Sequence, residues 1–450
     1  MNAASKERAP SAQETFTQMA QTAGLRARVL VTIGLLILAR LGVYLPLPGI
    51  DRLRFAESLK NNQALGFLDI FSGGGISAVG VFALGILPYI NASIIIQLLT
   101  TALPALEKLQ KEEGEAGRRK ISQITRYVAL GWGIIQSVGI AFWLRNFAIA
   151  PDPLFVPSTA IALIAGSMFI MWISELITER GIGNGASLLI FINIVAVFPK
   201  SLLDTFDQAK TGGSQVLVNV LILLAVFLVT IVCIVFIQEG SRQIPIISAK
   251  RQVGRRLYRE RTSYLPLRLI QGGVMPIIFA SSVMALPQGL SGFTRPAEGT
   301  TPNQFMSALH SGANAVANAM NPEGSTPWIY LGVYMVLIIF FSYFYSTLVV
   351  NPIDMSQNLK KMGASIPGIR PGQATSKYIE SVLNRLTILG ACFLGAVAII
   401  PGIIESALHI TTFKGFGATS LLILVGVAIE TAKQIQTYVI SQRYEGMVKQ

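Results

Sequence analysis

A chain of 450 residues that is 52% hydrophobic and only 13% charged is too apolar for a set of soluble domains and reads as a polytopic membrane protein. Its formal net charge of +13 leaves nucleic acid, anionic lipid and an acidic partner open, and only the distribution of that charge separates them. Two cysteines, Cys233 and Cys392, exclude a disulfide framework and, lying in apolar runs, are expected as inert packing residues. His310 and His409 stand alone outside those runs, so neither a metal site nor a cofactor is expected.

Residues 1–24 are polar and partly amphipathic, a mobile arm with no secretory signal peptide. Ten apolar segments follow, near 27–46, 78–103, 126–147, 158–178, 186–206, 216–238, 272–291, 328–350, 379–401 and 416–437. The second differs from the others. Leu65 to Leu103 is apolar throughout but is broken at Gly73, Gly74 and Gly75. The part from Ala78 onward has the length of a full span, about 20 residues, whereas Leu65 to Ser72 has only the length of a half-helix. Irregular backbone at membrane depth is tolerated only inside protein or beside a water-filled cavity. The short piece is therefore either a re-entrant loop packed for stability or an object lodged in a pore.

Further along, the RGIGNG turn at 180–185 follows a membrane helix and lacks a phosphate-binding lysine, so it reads as a tight turn. The segment 239–271 separates five spans from five, which sets the two halves in opposite orientations. The loop 292–327, rich in Gly, Asn, Pro and Ser, is expected to be irregular or flexible.

Charge fixes the orientation. Of 36 Lys and Arg residues, 26 fall on the side of the N-terminus, 8 on the other, and Arg40 and Arg385 lie within spans. Both termini are expected in the cytoplasm. The cytoplasmic positives form three clusters: Arg118, Arg119 and Lys120; Lys250, Arg251, Arg255, Arg256, Arg259 and Arg261; and Lys360, Lys361, Arg370 and Lys377. Each can serve orientation and anionic headgroups. Three on one face also suit a large polyanionic or acidic partner.

Chemistry finds little footing. Glu175, Glu405 and Glu430 fall at or near span ends, and no span carries the mid-membrane pair that an ion-coupled carrier needs. Ser281 and Ser282 have no nearby base and read as small helix-packing residues. No enzyme activity is expected.

The stretches FLDIFSGG (67–74), ALGILPYINASIIIQLL (83–99), GRRKISQITRY (117–127), TERGIGNG (178–185), AKRQVGRR (249–256), GVMPIIFASS (273–282), NPIDMSQNLKKMGASIPGIRPG (351–372) and QIQTY (434–438) carry a resemblance over about 25–445. Together, in that order, they resemble the SecY family of protein-translocation channels. The resemblance implies an all-α polytopic membrane protein, with ten transmembrane helices in two inverted five-helix halves around an hourglass pore. After the cytoplasmic arm 1–24 comes a first half over 25–238, within which the sixth span opens the second half at about 216. That half runs over 216–437, and the cytoplasmic tail over 438–450.

The resemblance also implies roles for residues. Leu65, Gly66, Phe67, Leu68, Asp69, Ile70, Phe71, Ser72, Gly73 and Gly74 would be a plug. Ile86, Ile90, Ala186, Ile190, Ile278 and Ile423 would ring the waist, with Ala186 smaller than the residue often found there. Asn91, Gln136, Gln271 and Ser282 would face a lateral gate between spans two and three and spans seven and eight. Arg255, Arg256 and Arg370 would meet the SecA motor ATPase or the ribosome through its RNA. SecE and SecG-type small membrane subunits, signal sequences, nascent chains and the lipid bilayer complete the expected partners. The implied function is a channel that passes unfolded secretory polypeptides and releases apolar segments sideways into lipid, in a bacterial inner (plasma) membrane or a thylakoid.

A reporter active only in the cytoplasm should work when fused within 105–120, 250–262 or 360–375 and fail within 205–213 or 300–320. Activity at both 250–262 and 300–320 would rule out the orientation.

Overall fold

The computed structural model describes residues 23–55, 69, 72–111, 114–150, 152–211, 213–248, 251–253, 256–258, 262–293, 304–319, 327–408 and 418–448. Among these residues a helix stands at each of the ten expected spans: α1 (Ala23–Val43), α2 (Leu87–Ala102), α4 (Gly114–Leu144), α5 (Phe155–Arg180), α6 (Gly185–Thr211), α7 (Gly213–Glu239), α8 (Met275–Phe293), α10 (Pro327–Val349), α12 (Gln373–Leu408) and α13 (Ala418–Val448). Shorter helices lie between them: α3 (Pro104–Lys111), α9 (Gln304–Ala319) and α11 (Pro352–Lys361). Among the described residues, five helices are long and apolar enough to cross a membrane. The pair α2 and α3, bent by 103° at Leu103, makes a sixth if taken as one span. Along α7 the exposed positions are apolar too, with Leu221, Leu228, Val232 and Phe236 open on its surface. A helix apolar all round is at home in hydrocarbon rather than water. Cys233 and Cys392 also prove exposed, not packed inside as expected. They lie among branched apolar neighbours on helix surfaces, where a small soft side chain suits lipid as well as it suits a core.

The chain falls into two compact units, one of Met1–Asp204, Gln288–Ala313 and Val427–Gln450, the other of Thr205–Pro287 and Asn314–Gly426. In the first unit, Leu47, Ile50, Phe55, Ile76, Val79, Leu84, Leu144, Phe155 and Leu163 form one buried cluster. Phe55 meets Trp143 and Phe147 edge-on, with ring centroids 5.2 and 5.4 Å apart. Close approach here depends on missing side chains. A Cβ on Gly166 would run into the Val81 carbonyl oxygen, and one on Gly80 into that of Val43.

The second unit carries a sheet that the sequence reading did not foresee. Strands β1 (Ser241–Ser248) and β4 (Thr262–Arg268) pair antiparallel from Ser241↔Arg268 to Ile247↔Thr262. β5 (Ala364–Ser365) joins the far edge of β1. At the tip, β2 (Arg251–Val253) pairs with β3 (Arg256–Tyr258). Ile244 and Ile246 are buried while Gln243 and Pro245 are exposed, the period-two alternation of a half-buried strand. Beneath the sheet, those isoleucines pack with Leu267, Leu359, Ile366, Ile379 and Leu383 of β4, α11, the turn after β5 and α12.

The loop 292–327, expected to be irregular, contains α9. Its breakers are concentrated at the ends, at Pro302 and at Pro322 and Gly324, whereas 304–319 holds five alanines and no proline. Alanine is the strongest helix former.

Gly166→Ala should lower the temperature of irreversible unfolding in detergent, since overpacking costs about 1–3 kcal/mol. Gly131→Ala, with nothing within 4 Å of the added Cβ, should leave it unchanged or raise it. Equal shifts would contradict the close contact of α5 with Val81.

Candidate functional site

The second span begins later than the hydropathy suggests. Residues 78–86 are turns, not helix, and α2 starts at Leu87 with Pro88 in its first turn. Val79 has a φ of +50° and Gly85 one of +53°, which a continuous helix cannot contain. This irregular run is largely buried, and much of its backbone is paired. Leu47 N–H donates to the Val79 carbonyl at 2.9 Å, Val81 N–H to that of Leu45 at 2.8 Å, and Gly80 N–H to that of Gly75 at 2.9 Å. The Ser167 hydroxyl reaches the Gly85 carbonyl at 3.3 Å. The chain just after α1 and the helix α5 thus hold the segment from outside.

Of the expected plug, Leu65, Gly66, Phe67, Leu68, Ile70 and Phe71 lie outside the described residues. Asp69 and Ser72 are helical and Gly73 to Ser77 form turns. The Asp69 carboxylate accepts from the Ser77 N–H at 2.7 Å and from the Ser77 hydroxyl. Ser72 donates to the Asp69 carbonyl at 2.9 Å and accepts from the Ile76 N–H at 3.2 Å. Gly73, at φ +68°, turns its carbonyl to Arg40, whose Nη1 donates at 2.7 Å. A Cβ on Gly73 would strike both Arg40 and Asn193. Arg40, set aside in the sequence as a charge inside a span, is the residue that reading missed. The signal was there, because an intramembrane arginine needs a partner.

Four of the six expected waist residues lie in the first unit. Ile86 caps α2 and accepts at its carbonyl from the Ile90 N–H at 3.1 Å, so the two stand one turn apart; both are buried. At the start of α6, Asn184 Oδ1 accepts from the N–H groups of Ala186 and Ser187 at 3.0 and 3.3 Å, a side-chain cap of the usual kind. The RGIGNG turn is tight as expected: Ile182 N–H donates to Thr32 Oγ1 at 3.0 Å and Gly185 N–H to Thr178 Oγ1 at 2.9 Å. Ala186 and Ile190 again stand one turn apart, and Asn193, beside Gly73, is less than a turn beyond Ile190.

The other two, Ile278 and Ile423, lie in the second unit and are 2% and 0% exposed. Gly426, one turn from Ile423, sits against Val274, one turn from Ile278. The turn that leads into α8 therefore packs on α13, one turn from each isoleucine.

The four expected gate residues keep largely local company. Ser282 Oγ donates to the Ile278 carbonyl at 2.8 Å, and Gln271 Nε2 to that of Arg268 at 3.1 Å. Asn91 is buried, and the buried Gln136 Oε1 accepts no hydrogen bond among the described residues.

Of the expected docking residues, Arg255 is outside the described residues and Arg256 opens β3. Arg370 is exposed on a braced turn: its carbonyl accepts from Thr375 Oγ1 at 2.9 Å, and Ser356 Oγ donates to the Gly372 carbonyl at 2.7 Å. Asn351 caps the adjacent α11 through the Ile353 N–H at 3.0 Å. Arg118, Arg119 and Lys120 are exposed on the first turns of α4.

Comparison with known proteins agrees on one family. The family model described as SecY matches residues 80–432. The chain is 65% identical over 449 residues to the protein translocase subunit SecY of Synechococcus elongatus, covering 99% of each chain. It is 64% identical over 447 residues to that of a Synechocystis species, again 99% of each. A solved structure concerned with the plug domain of the SecY protein superposes with a TM-score of 0.63 at 17% identity, over 91% of each chain. A channel in a canine ribosome–channel complex from the endoplasmic reticulum superposes at 0.60 and 17%, over 91% of each chain.

Proposed function

The chain belongs to the SecY family and is a protein-conducting channel subunit of a protein translocase, a multi-pass membrane protein, and we propose that its path for polypeptide is closed at rest by an apolar waist and a plug. Ile86, Ile90, Ala186, Ile190, Ile278 and Ile423 make the waist; Leu65 to Gly74 make the plug. The observation that carries this reading is the largely buried, turn-built run Gly73–Ile86, hydrogen-bonded within itself and to its neighbours and leading straight into Ile86 and Ile90. Its stem lies beside Asn193, less than one turn from Ile190. An apolar neck holds ions back by dewetting, because water within it loses hydrogen bonds that it cannot replace. Branched isoleucine side chains are stiff enough to keep such a neck in shape.

Unfolded secretory polypeptides pass through the waist, and apolar segments leave sideways between two inverted five-helix halves. Asn91, Gln136, Gln271 and Ser282 face that seam, where lipid gives helices little hydrophobic reason to stay together. Signal sequences open it. The partners are SecE and SecG-type subunits, and either the SecA motor or the ribosome at Arg255, Arg256 and Arg370. The solved relative in a ribosome–channel complex supports the last of these. Both termini are cytoplasmic, in the plasma membrane or the thylakoid, a location suggested by the Synechococcus and Synechocystis relatives.

Ile278→Asn or Ile423→Asn should raise the resting conductance of the assembled translocase in planar bilayers, since an amide offers donors and an acceptor to a file of water. Both should also relax the demand for a strong signal sequence. Variants as tight as the parent, even with 66–74 deleted, would show these isoleucines to be packing residues.

Arg370→Glu, or Arg256→Glu with Arg255→Glu, should slow motor- or ribosome-driven transport most at low salt, because rim charges act on association rate. Parent-like transport at every ionic strength would exclude docking at those residues.

A further inference from the structure

Arg40 occupies the last turn of α1, inside a span, where a charge is costly unless acceptors surround it. Its acceptors lie on the plug stem and on the turn that follows its own helix. Nη1 donates to the Gly73 carbonyl at 2.7 Å and Nη2 to the Tyr44 hydroxyl at 3.3 Å. The guanidinium carbon also stands 5.6 Å from the Tyr44 ring centroid. The stem keeps its own shape, because Asp69, Ser72 and Ser77 bond one another and satisfy the N–H groups of Ile76 and Ser77. A segment so closed on itself moves as one piece, and the bond from Arg40 ties that piece to the wall. A charged donor makes this bond stronger than a neutral pair, and more so away from water.

We propose that Arg40 is the latch of the plug: its hydrogen bond to the Gly73 carbonyl holds the stem seated in the closed channel, and opening breaks that bond. The inference rests on the reading of 65–74 as a plug. Arg40 acts here as a positioning residue. When the stem leaves, the guanidinium loses its carbonyl, and the charge is then met by water entering the widened path or by backbone carbonyls of the passing chain. Release and wetting are therefore coupled, and emptying the path of water restores the latch. The glycine is part of the device. Only a residue without Cβ brings its carbonyl this close to Arg40 and Asn193 at φ +68°.

The test is resting conductance of the purified complex, small subunits included, in planar bilayers. Five forms are compared: parent, Arg40→Leu, Gly73→Ala, deletion of 66–74, and the deletion combined with Arg40→Leu. Arg40→Leu leaves an apolar side chain that suits the span and should raise the open fraction roughly tenfold, the factor carried by a charge-assisted hydrogen bond. Gly73→Ala keeps the arginine and should do the same, so it decides the matter if Arg40→Leu fails to assemble. In the deleted background Arg40→Leu should add nothing. A leak from the deletion but none from either substitution overturns the latch and spares the plug. Equal added leak with and without the plug overturns the latch as well, placing the effect of Arg40 elsewhere. A deletion that leaks no more than the parent overturns the plug reading itself.

Discussion

Backbone that leaves the helix at membrane depth must carry its own hydrogen-bond partners, because lipid supplies none. The run Gly73–Ile86 draws its partners from three directions. Its own turns pair Gly74, Ala78, Gly80, Ala83 and Gly85. The chain after α1 pairs Val79 and Val81, and α5 reaches Gly85 through Ser167. Once this run is fixed, Pro88 starts α2 where Ile86 and Ile90 share a face, and the stem that precedes it comes to rest beside α6. Glycine at 80 and 166 allows the contacts, and the positive φ of Val79 is held by bonds on both sides of it. The proposed waist residues Ile86 and Ile90 and the proposed plug stem are both held by this packing.

The basic face is built by a different economy. A long loop bearing many like charges would repel itself and stay mobile. Here Lys360, Lys361 and Arg370 are carried on a two-layer support, with β4, β1 and β5 above and α11 and α12 below. The support is apolar inside and hydrogen-bonded at its turns, so Arg370 projects from a braced position. A preorganised charge gives up less freedom on docking than one on a loose loop. This arrangement suits the docking proposed at Arg370.

The positions of the ten spans were legible because long apolar runs bounded by polar loops leave few alternatives. The start of α2 was not, since Ala78–Ile86 is as apolar as the helix after it. Only the glycine spacing and the conformation of Val79 divide the two. The sheet at 241–268 was obscured by its basic tip and by Pro245 and Pro266, which read as breakers although both sit exposed on a hairpin. Helix α9 was hidden by averaging a breaker-rich composition over the whole loop, when the breakers sit at its ends. At the site, the isoleucines look like any other span residues, and only family resemblance marks them. Arg40 was visible as an oddity, but the carbonyl it serves is 33 residues away and outside the reach of periodicity.

The central claim is that a polypeptide passes between the faces bearing Ile86, Ile190, Ile278 and Ile423. Photo-crosslinking from each of these positions to a secretory precursor stalled in transit tests it most directly, with Leu228 and Phe236, exposed on α7, as controls. The account predicts adducts with the precursor from all four isoleucine positions and from neither control. Labelling from the controls as strong as from the isoleucines, or isoleucine adducts with lipid alone, would contradict it.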